Sequence, residues 1–232
     1  MPKQNLINPK KEIIPIYKPK GWPSFRVVKE LRRMTGIKKI GYLGTLDPQA
    51  QGLLVVGIGQ GAKKLKNLPA DKSYLAEIAF GIETETWDLD CKTFKLVKSA
   101  SWRTKLNQEK IKKILTSFRG EIKQPIPLYS AKKIKGKRLY KIARSGKKIS
   151  LPQKTIKIYQ IKFLDFRKKK IKLLNKTIIL PTIKIKIDCG PGTFIRSLAY
   201  ELGEKLKTKA TLINLIRTKE GGFTIKNAIK IT

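Results

Sequence analysis

Six glycines interrupt the stretch between positions 41 and 61, namely Gly41, Gly44, Gly52, Gly57, Gly59 and Gly61, with Asp47-Pro48 at its centre. The segment reads as a tight turn followed by a short buried strand over residues 53–56, in an apolar run broken at Gly57. Asp47 is an acid set in this turn, in a chain with 53 Lys+Arg against 16 Asp+Glu. An acid so placed in so basic a chain points to chemistry on a polyanion. The basic surface would hold phosphates, and the carboxylate would act on what they deliver.

The net charge of +37 and a pI near 10.3 concern partners rather than fold. Nucleic acid is the first candidate, since Lys and Arg displace the counterions of a phosphate backbone. A membrane surface is the second, and a plain compositional excess of lysine is the bland alternative. With 41% hydrophobic residues the 232-residue chain has enough apolar surface for a sizeable core. No apolar run approaches the ~20 residues of a membrane span. Residues 1–11 are polar and lack the apolar centre of a signal peptide, so a cytoplasmic location is expected.

There is no histidine. That removes Ser-His-Asp triads, Cys-His dyads, His-ligated zinc and imidazole acid–base chemistry. Cys91 and Cys189 have no CxxC partners, so a metal or redox motif is not expected. Catalysis is left to Asp, Glu, Lys, Tyr or Arg. Residues 57–61 are no phosphate loop, because Ala62-Lys63-Lys64 stands where Gly-Lys-Ser/Thr is needed.

Residues 18–23 read as a turn-rich loop, with Ser24 as N-cap of a helix over 25–35 that Gly36 ends. Val27, Val28, Leu31 and Met34 share one face of it. A strand is expected over 74–80. Asn107 caps a helix reaching 118, with Ile111, Ile114, Leu115 and Phe118 at helical spacing. Residues 124–152 form a basic segment interleaved with Tyr129 and Tyr140, with a short helix over 137–145 closed by Gly146. Basic residues with aromatics between them suit a phosphate-contacting arm. Strands are expected over 154–166, 171–180 and 183–188. In the last, Ile183-Lys184-Ile185-Lys186-Ile187 alternates strictly, so one side faces a core and the other water. Residues 189–192 make a turn, and Thr193 caps a helix over 194–206. The pattern is mixed α+β.

Taken singly, the candidate site residues have plain structural readings. Asp-Pro is a common turn whose carboxylate bonds backbone amides. Tyr74 suits a strand, and Arg196 a helix surface. Taken together, they resemble a known family. Gly41-Tyr42-Leu43-Gly44-Thr45-Leu46-Asp47-Pro48 followed by Gly52 is similar to the signature of the TruB family of tRNA pseudouridine synthases. Lys18-Pro19-Lys20-Gly21 with Ser24 resembles its first motif. Tyr74, Gly81, Thr84, Thr86 and Asp88 resemble the second block. Pro127, Tyr129-Ser130-Ala131, Lys133, Gly136, Leu139-Tyr140, Ala143-Arg144 and Gly146 resemble the thumb segment. Gly192-Thr193-Phe194-Ile195-Arg196, Leu198 and Leu202-Gly203 resemble the arginine block. Leu215, Arg217-Thr218, Gly222 and Phe223 resemble the last. Six blocks in order make the resemblance specific.

The resemblance implies a pseudouridine synthase fold, with a mixed, mostly antiparallel central sheet flanked by helices and loops, and a basic thumb over about residues 124–152. It implies isomerisation of the uridine at position 55 in the T arm of tRNA, with no cofactor and no metal. By the same resemblance Asp47 is the nucleophile, Arg196 pairs with it, and Tyr74 stacks on the flipped uracil and takes part in removing the C5 proton. Leu215 packs near the base and Lys20 supports the loop. Lys132, Lys133, Arg138 and Arg144 clasp the RNA, whose target base must be flipped out. Two positions depart from the family: Tyr42 replaces a histidine, and Phe194 replaces a tyrosine. Only nine residues follow Phe223, so the expectation is a single catalytic domain over 1–232 without the C-terminal PUA domain of many relatives. A monomer that needs no guide RNA is expected with it. The alternatives are an RNA-folding chaperone on the same scaffold, motivated by Tyr42, Phe194 and the charge, and a related synthase acting on another RNA.

Overall fold

In this computed structural model residues 12–98, 101–102, 106–130, 132–134, 136–144 and 150–231 are described. The chain falls into two compact units, Met1–Leu75 with Asn214–Thr232, and Ala76–Ile213. The fold class is mixed α+β with a mostly antiparallel central sheet.

The first unit is built on β1 (Ile13–Lys18) and β3 (Ala50–Ile58), paired antiparallel from Ile13 opposite Gly57 to Lys18 opposite Gly52. The strand order is β14-β1-β3-β12, where β12 spans Ala210–Glu220 and β14 spans Ile229–Lys230. Two of these pairings are parallel, β1 with β14 and β3 with β12. A short strand, β2 (Ile40–Tyr42), adds antiparallel to β3 from Ile58 to Val56. Helix α1 (Ser24–Thr35) packs Val27, Val28 and Leu31 against Ile14, Ile16, Leu54 and Val56, all nearly excluded from solvent. Gly36 closes the helix in a left-handed conformation with its amide on the Arg32 carbonyl, as its position suggests.

The glycines after β3 serve packing. A Cβ on Gly57 would lie 2.5 Å from the Gly61 carbonyl oxygen, and one on Gly61 would lie 1.9 Å from that of Glu12. Helix α2 (Gly61–Lys64) is a single turn.

In the second unit the order is β4-β11-β10-β7, with β4 at Lys72–Phe80 (entering this unit at Ala76), β7 at Gly120–Pro125, β10 at Gln153–Leu173 and β11 at Lys176–Cys189. Strands β5 (Ile82–Thr84) and β6 (Phe94–Leu96) form a hairpin. Helix α3 (Gln108–Thr116) starts at Asn107, whose side chain accepts the Lys110 amide at 2.8 Å, and it buries Ile111 and Leu115 as its spacing requires. Strands β8 (Lys133–Ile134) and β9 (Lys137–Arg138) form a small ladder, followed by α4 (Leu139–Arg144). Helix α5 (Ile195–Leu206) buries Ile195, Leu198, Ala199, Leu202 and Leu206.

Four local expectations are corrected. The three strands expected over 154–188 are two, because the chain reverses at residues 174–175. Leu174 adopts φ 51°, and no glycine or proline marks the turn. The helix expected over 137–145 begins at Leu139, since Lys137 and Arg138 pair with Ile134 and Lys133. Its expected closing residue, Gly146, and Ala131, Lys135, Lys147 and Lys148 lie outside the described residues. Thr193 does not cap α5: its hydroxyl donates to the Gly190 carbonyl at 3.0 Å, and Phe194 is the cap residue. Nor does Ser24 cap α1. Pro23 holds the cap position, and the Ser24 hydroxyl is used elsewhere.

Candidate active site

Asp47 lies, half-buried, between β2 and β3 in the turn over residues 43–49. The Ala50 amide donates to the Asp47 carbonyl at 3.0 Å, closing a β-turn with Pro48 at its second position, where the fixed φ of proline is preformed. The turn is pinned at several points. The buried Ser24 hydroxyl accepts the Leu46 amide at 2.9 Å and donates to the Leu46 carbonyl at 3.0 Å. The Gly21 amide donates to the Pro48 carbonyl at 2.8 Å. The Leu43 amide donates to the Val55 carbonyl, and Arg217 Nη2 donates to the Gly44 carbonyl at 2.9 Å.

Lys18 is the lysine that supports this turn. It has no solvent exposure, and its Nζ donates to the carbonyls of Trp22 at 2.5 Å, Pro19 at 3.1 Å and Pro48 at 3.4 Å. Burial pulls its ammonium down to about 8, while the nearby Asp47 carboxylate pushes it back up. Lys20, expected in this role, is exposed. The signal for Lys18 is in the strand period: Ile14, Ile16 and Lys18 share the buried side of β1.

Tyr42 ends β2 opposite Val56, and its half-buried ring packs against the core of β1, α1 and β3. Tyr74 is buried in β4. Leu215 is buried in β12 in register with Ala50, the first residue of β3. β12 therefore runs beside the start of the strand that follows the Asp47 turn.

Arg196 is buried in the second unit, on the first turn of α5. Its Nη1 donates to the Thr86 carbonyl at 2.9 Å, its Nη2 to the Tyr129 carbonyl at 3.2 Å, and its Nε lies 3.6 Å from Asp88 Oδ2. Asp88 is in turn held by the Thr86 hydroxyl at 2.8 Å and the Asp90 amide at 2.9 Å. A guanidinium gripped on three sides is fixed in direction. Asp88 is a residue whose role the sequence reading missed, although it stands in the matched second block. The Phe194 amide donates to the Gln124 side chain at 2.9 Å, so that position is fixed through its backbone.

The basic segment is only partly described. Lys132 is exposed. Lys133 and Arg138 are in backbone register across β8 and β9, and Arg144 ends α4. Among the described residues no group of three or more Cys, Asp or Glu could hold a metal.

Residues 32–195 match the family model for TruB family pseudouridylate synthase (N terminal domain). A tRNA pseudouridine synthase B of Trichormus variabilis is 37% identical over 93% of this chain and 69% of its own length. Its counterpart in Prochlorococcus marinus is 42% identical over 93% of this chain and 64% of its own length, and that in Clostridium novyi is 40% identical over 94% and 70%. Among solved structures, a Cbf5-Nop10-Gar1 complex matches with TM-score 0.66 at 25% identity, covering 94% of this chain and 52% of that one. An H/ACA RNP bound to a substrate RNA containing 2′-deoxyuridine matches with TM-score 0.64 at 23% identity, covering 94% and 50%. The chain spans about half the length of these solved chains. The fold is thus that of the pseudouridine synthases. The chain belongs to the TruB family of pseudouridylate synthases, and its residues 32–195 form that family's N-terminal domain.

Proposed function

We propose that this chain isomerises uridine to pseudouridine in tRNA, at position 55 of the T arm, with Asp47 as nucleophile. The N1–C1′ bond of the uridine breaks, the base turns, and a C5–C1′ bond forms. C5 loses a proton and N1 gains one, so atoms balance without a cofactor. The observation that carries the reading is the fixation of the Asp47 turn at Gly44, Leu46 and Pro48 by buried groups. A carboxylate that must form and release a covalent bond gains from being held before the substrate arrives.

In this reading Arg196, set by Asp88, Thr86 and Tyr129, is the ion-pair partner of Asp47, and Tyr74 lies against the flipped base. Leu215 packs beside it. Lys132, Lys133, Arg138 and Arg144 hold phosphates, and their binding energy offsets the few kcal/mol that base flipping costs. The matches to proteins named tRNA pseudouridine synthase B support the substrate class.

The test is Asp47→Asn with a tRNA transcript. The variant is expected to bind the tRNA and to form no pseudouridine. Turnover at the wild-type rate would end the proposal.

A further inference from the structure

We propose that Arg217, backed by Glu220, is a positioning residue for Asp47, clamping the start of the Asp47 turn onto β3 through the Gly44 and Leu53 carbonyls. This rests on the reading of Asp47 as nucleophile.

The clamp acts at one edge of β3. β12 pairs with that strand only from Ala50 to Gly52, and β2 only from Val56 to Ile58. Between them the β3 backbone has no strand partner on that edge among the described residues, and buried carbonyls left unpaired are costly. Leu43 takes the Val55 carbonyl with its amide. The side chain of Arg217 takes the other: Nε donates to the Leu53 carbonyl at 2.8 Å while Nη2 donates to Gly44 at 2.9 Å. One planar fork therefore bridges the strand and the turn, which an ammonium on a flexible stem does not reproduce.

The clamp is closely fitted and dry. Arg217 and Glu220 have no solvent exposure. Arg217 Nη2 lies 2.8 Å from Glu220 Oε2, and Lys72 Nζ lies 3.6 Å from Glu220 Oε1. Gly44 sits at φ 55°, and a Cβ there would lie 2.1 Å from Glu220 Oε1 and 3.1 Å from Arg217 Nη1. Only a glycine lets the turn approach this pair so closely. At the other end a Cβ on Gly52 would lie 2.4 Å from the Arg217 carbonyl oxygen.

A buried ion pair is weak grounds for stability, since an apolar replacement often costs nothing. What an apolar replacement would not supply is direction to the Gly44 carbonyl, three residues before Asp47. Burial also pushes the Glu220 carboxyl up to about 7, with Arg217 and Lys72 pulling it down. The charged groups facing the pair are Lys72 on β4 and, toward Arg217, Lys18 on β1. As pH falls through that value Glu220 takes a proton and Arg217 loses its counter-charge.

The test measures kcat and KM on tRNA, the pH profile of kcat, and amide hydrogen exchange over residues 43–47. In Arg217→Met a misplaced carboxylate is expected to lower kcat by about a hundredfold. KM should stay at its wild-type value, and exchange should speed up in the turn but not in β1. Arg217→Lys should show an intermediate loss. If Arg217→Met does not fold, Glu220→Gln carries the test. It should hold kcat at the wild-type acidic value across the whole range, removing the rise near neutral pH. A folded Arg217→Met or Glu220→Gln with wild-type kcat and pH profile overturns the inference, as does a loss wholly in KM. If wild-type protein makes no pseudouridine but Arg217→Met still accelerates exchange at 43–47, the clamp stands and the assigned reaction falls.

Discussion

Single residues in the Asp47 turn carry measurable weight. Ser24 is 2% exposed and satisfies both backbone groups of Leu46 with one hydroxyl. Ser24→Ala removes both bonds and leaves two polar groups buried. A stability loss of about 1–3 kcal/mol is expected in urea unfolding, with helix α1 retained by circular dichroism. The loss of a mere N-cap would instead fray the first turn of α1. This is where sequence reading reached its limit. Position 24 suited a cap by residue type, and nothing local says that its partner is 22 residues away. Sequence reading places Lys18 in a loop and gives its role to Lys20, yet a signal is there. Its phase with Ile14 and Ile16 marks it as inward-facing, a position that a lysine holds only with partners. Asp47 itself was legible as a turn residue, because Asp-Pro carries its own backbone preference. The partners of Arg196 were not, since Thr86, Asp88 and Tyr129 come from distant segments.

At the level of elements, regular periods were read well and the unmarked turn was not. The spacing of Val27, Val28 and Leu31 gave α1, and the alternation from Ile183 to Ile187 gave the buried and open sides of β11. The reversal after Leu173 was hidden because no glycine or proline marks it, and the pairing of β10 with β11 sets it. Helix α5 holds one strained group of its own. Glu201 has a buried Oε2 without a hydrogen-bond partner among the described residues, and burial pushes its carboxyl up to about 7, with Lys205 opposing. Its folded value lies above the ordinary carboxyl value of 4.5, so folding takes up a proton between those two values. This group does not weaken the fold below that window. Its cost grows as pH rises through it and is complete above it. Glu201→Gln, neutral throughout, is expected to stabilise the protein by about 2 kcal/mol near pH 8. It should be neutral below about pH 4.5, as urea midpoints at the two extremes will show.

For the molecule as a whole, charge dominates. A net charge of +37 makes association with a polyanion strongly dependent on salt. If roughly six to ten phosphates are neutralised, tRNA affinity should fall about a thousandfold or more between about 50 and 200 mM salt. Fluorescence anisotropy with labelled tRNA across that range measures the slope, and a flat profile would remove the basic segment from the binding reaction. Charged and aromatic groups also meet on α1, where Arg26 lies 4.2 Å over the Trp22 ring and Lys29 and Arg32 flank Phe25. Composition announced this behaviour, but not which lysines would turn inward.

The first unit is assembled from two segments far apart in sequence. β1 and β3 leave the ribosome before β12 and β14, which flank them. Until then β1 lacks its parallel neighbour, β3 lacks one of its own, and the guanidinium that secures Gly44 does not yet exist. A nascent chain therefore holds the Asp47 turn unsecured at Gly44 until position 217 has been made. A product stalled or clipped before position 217 has the Asp47 turn but not the side chain that bridges Gly44 to Leu53.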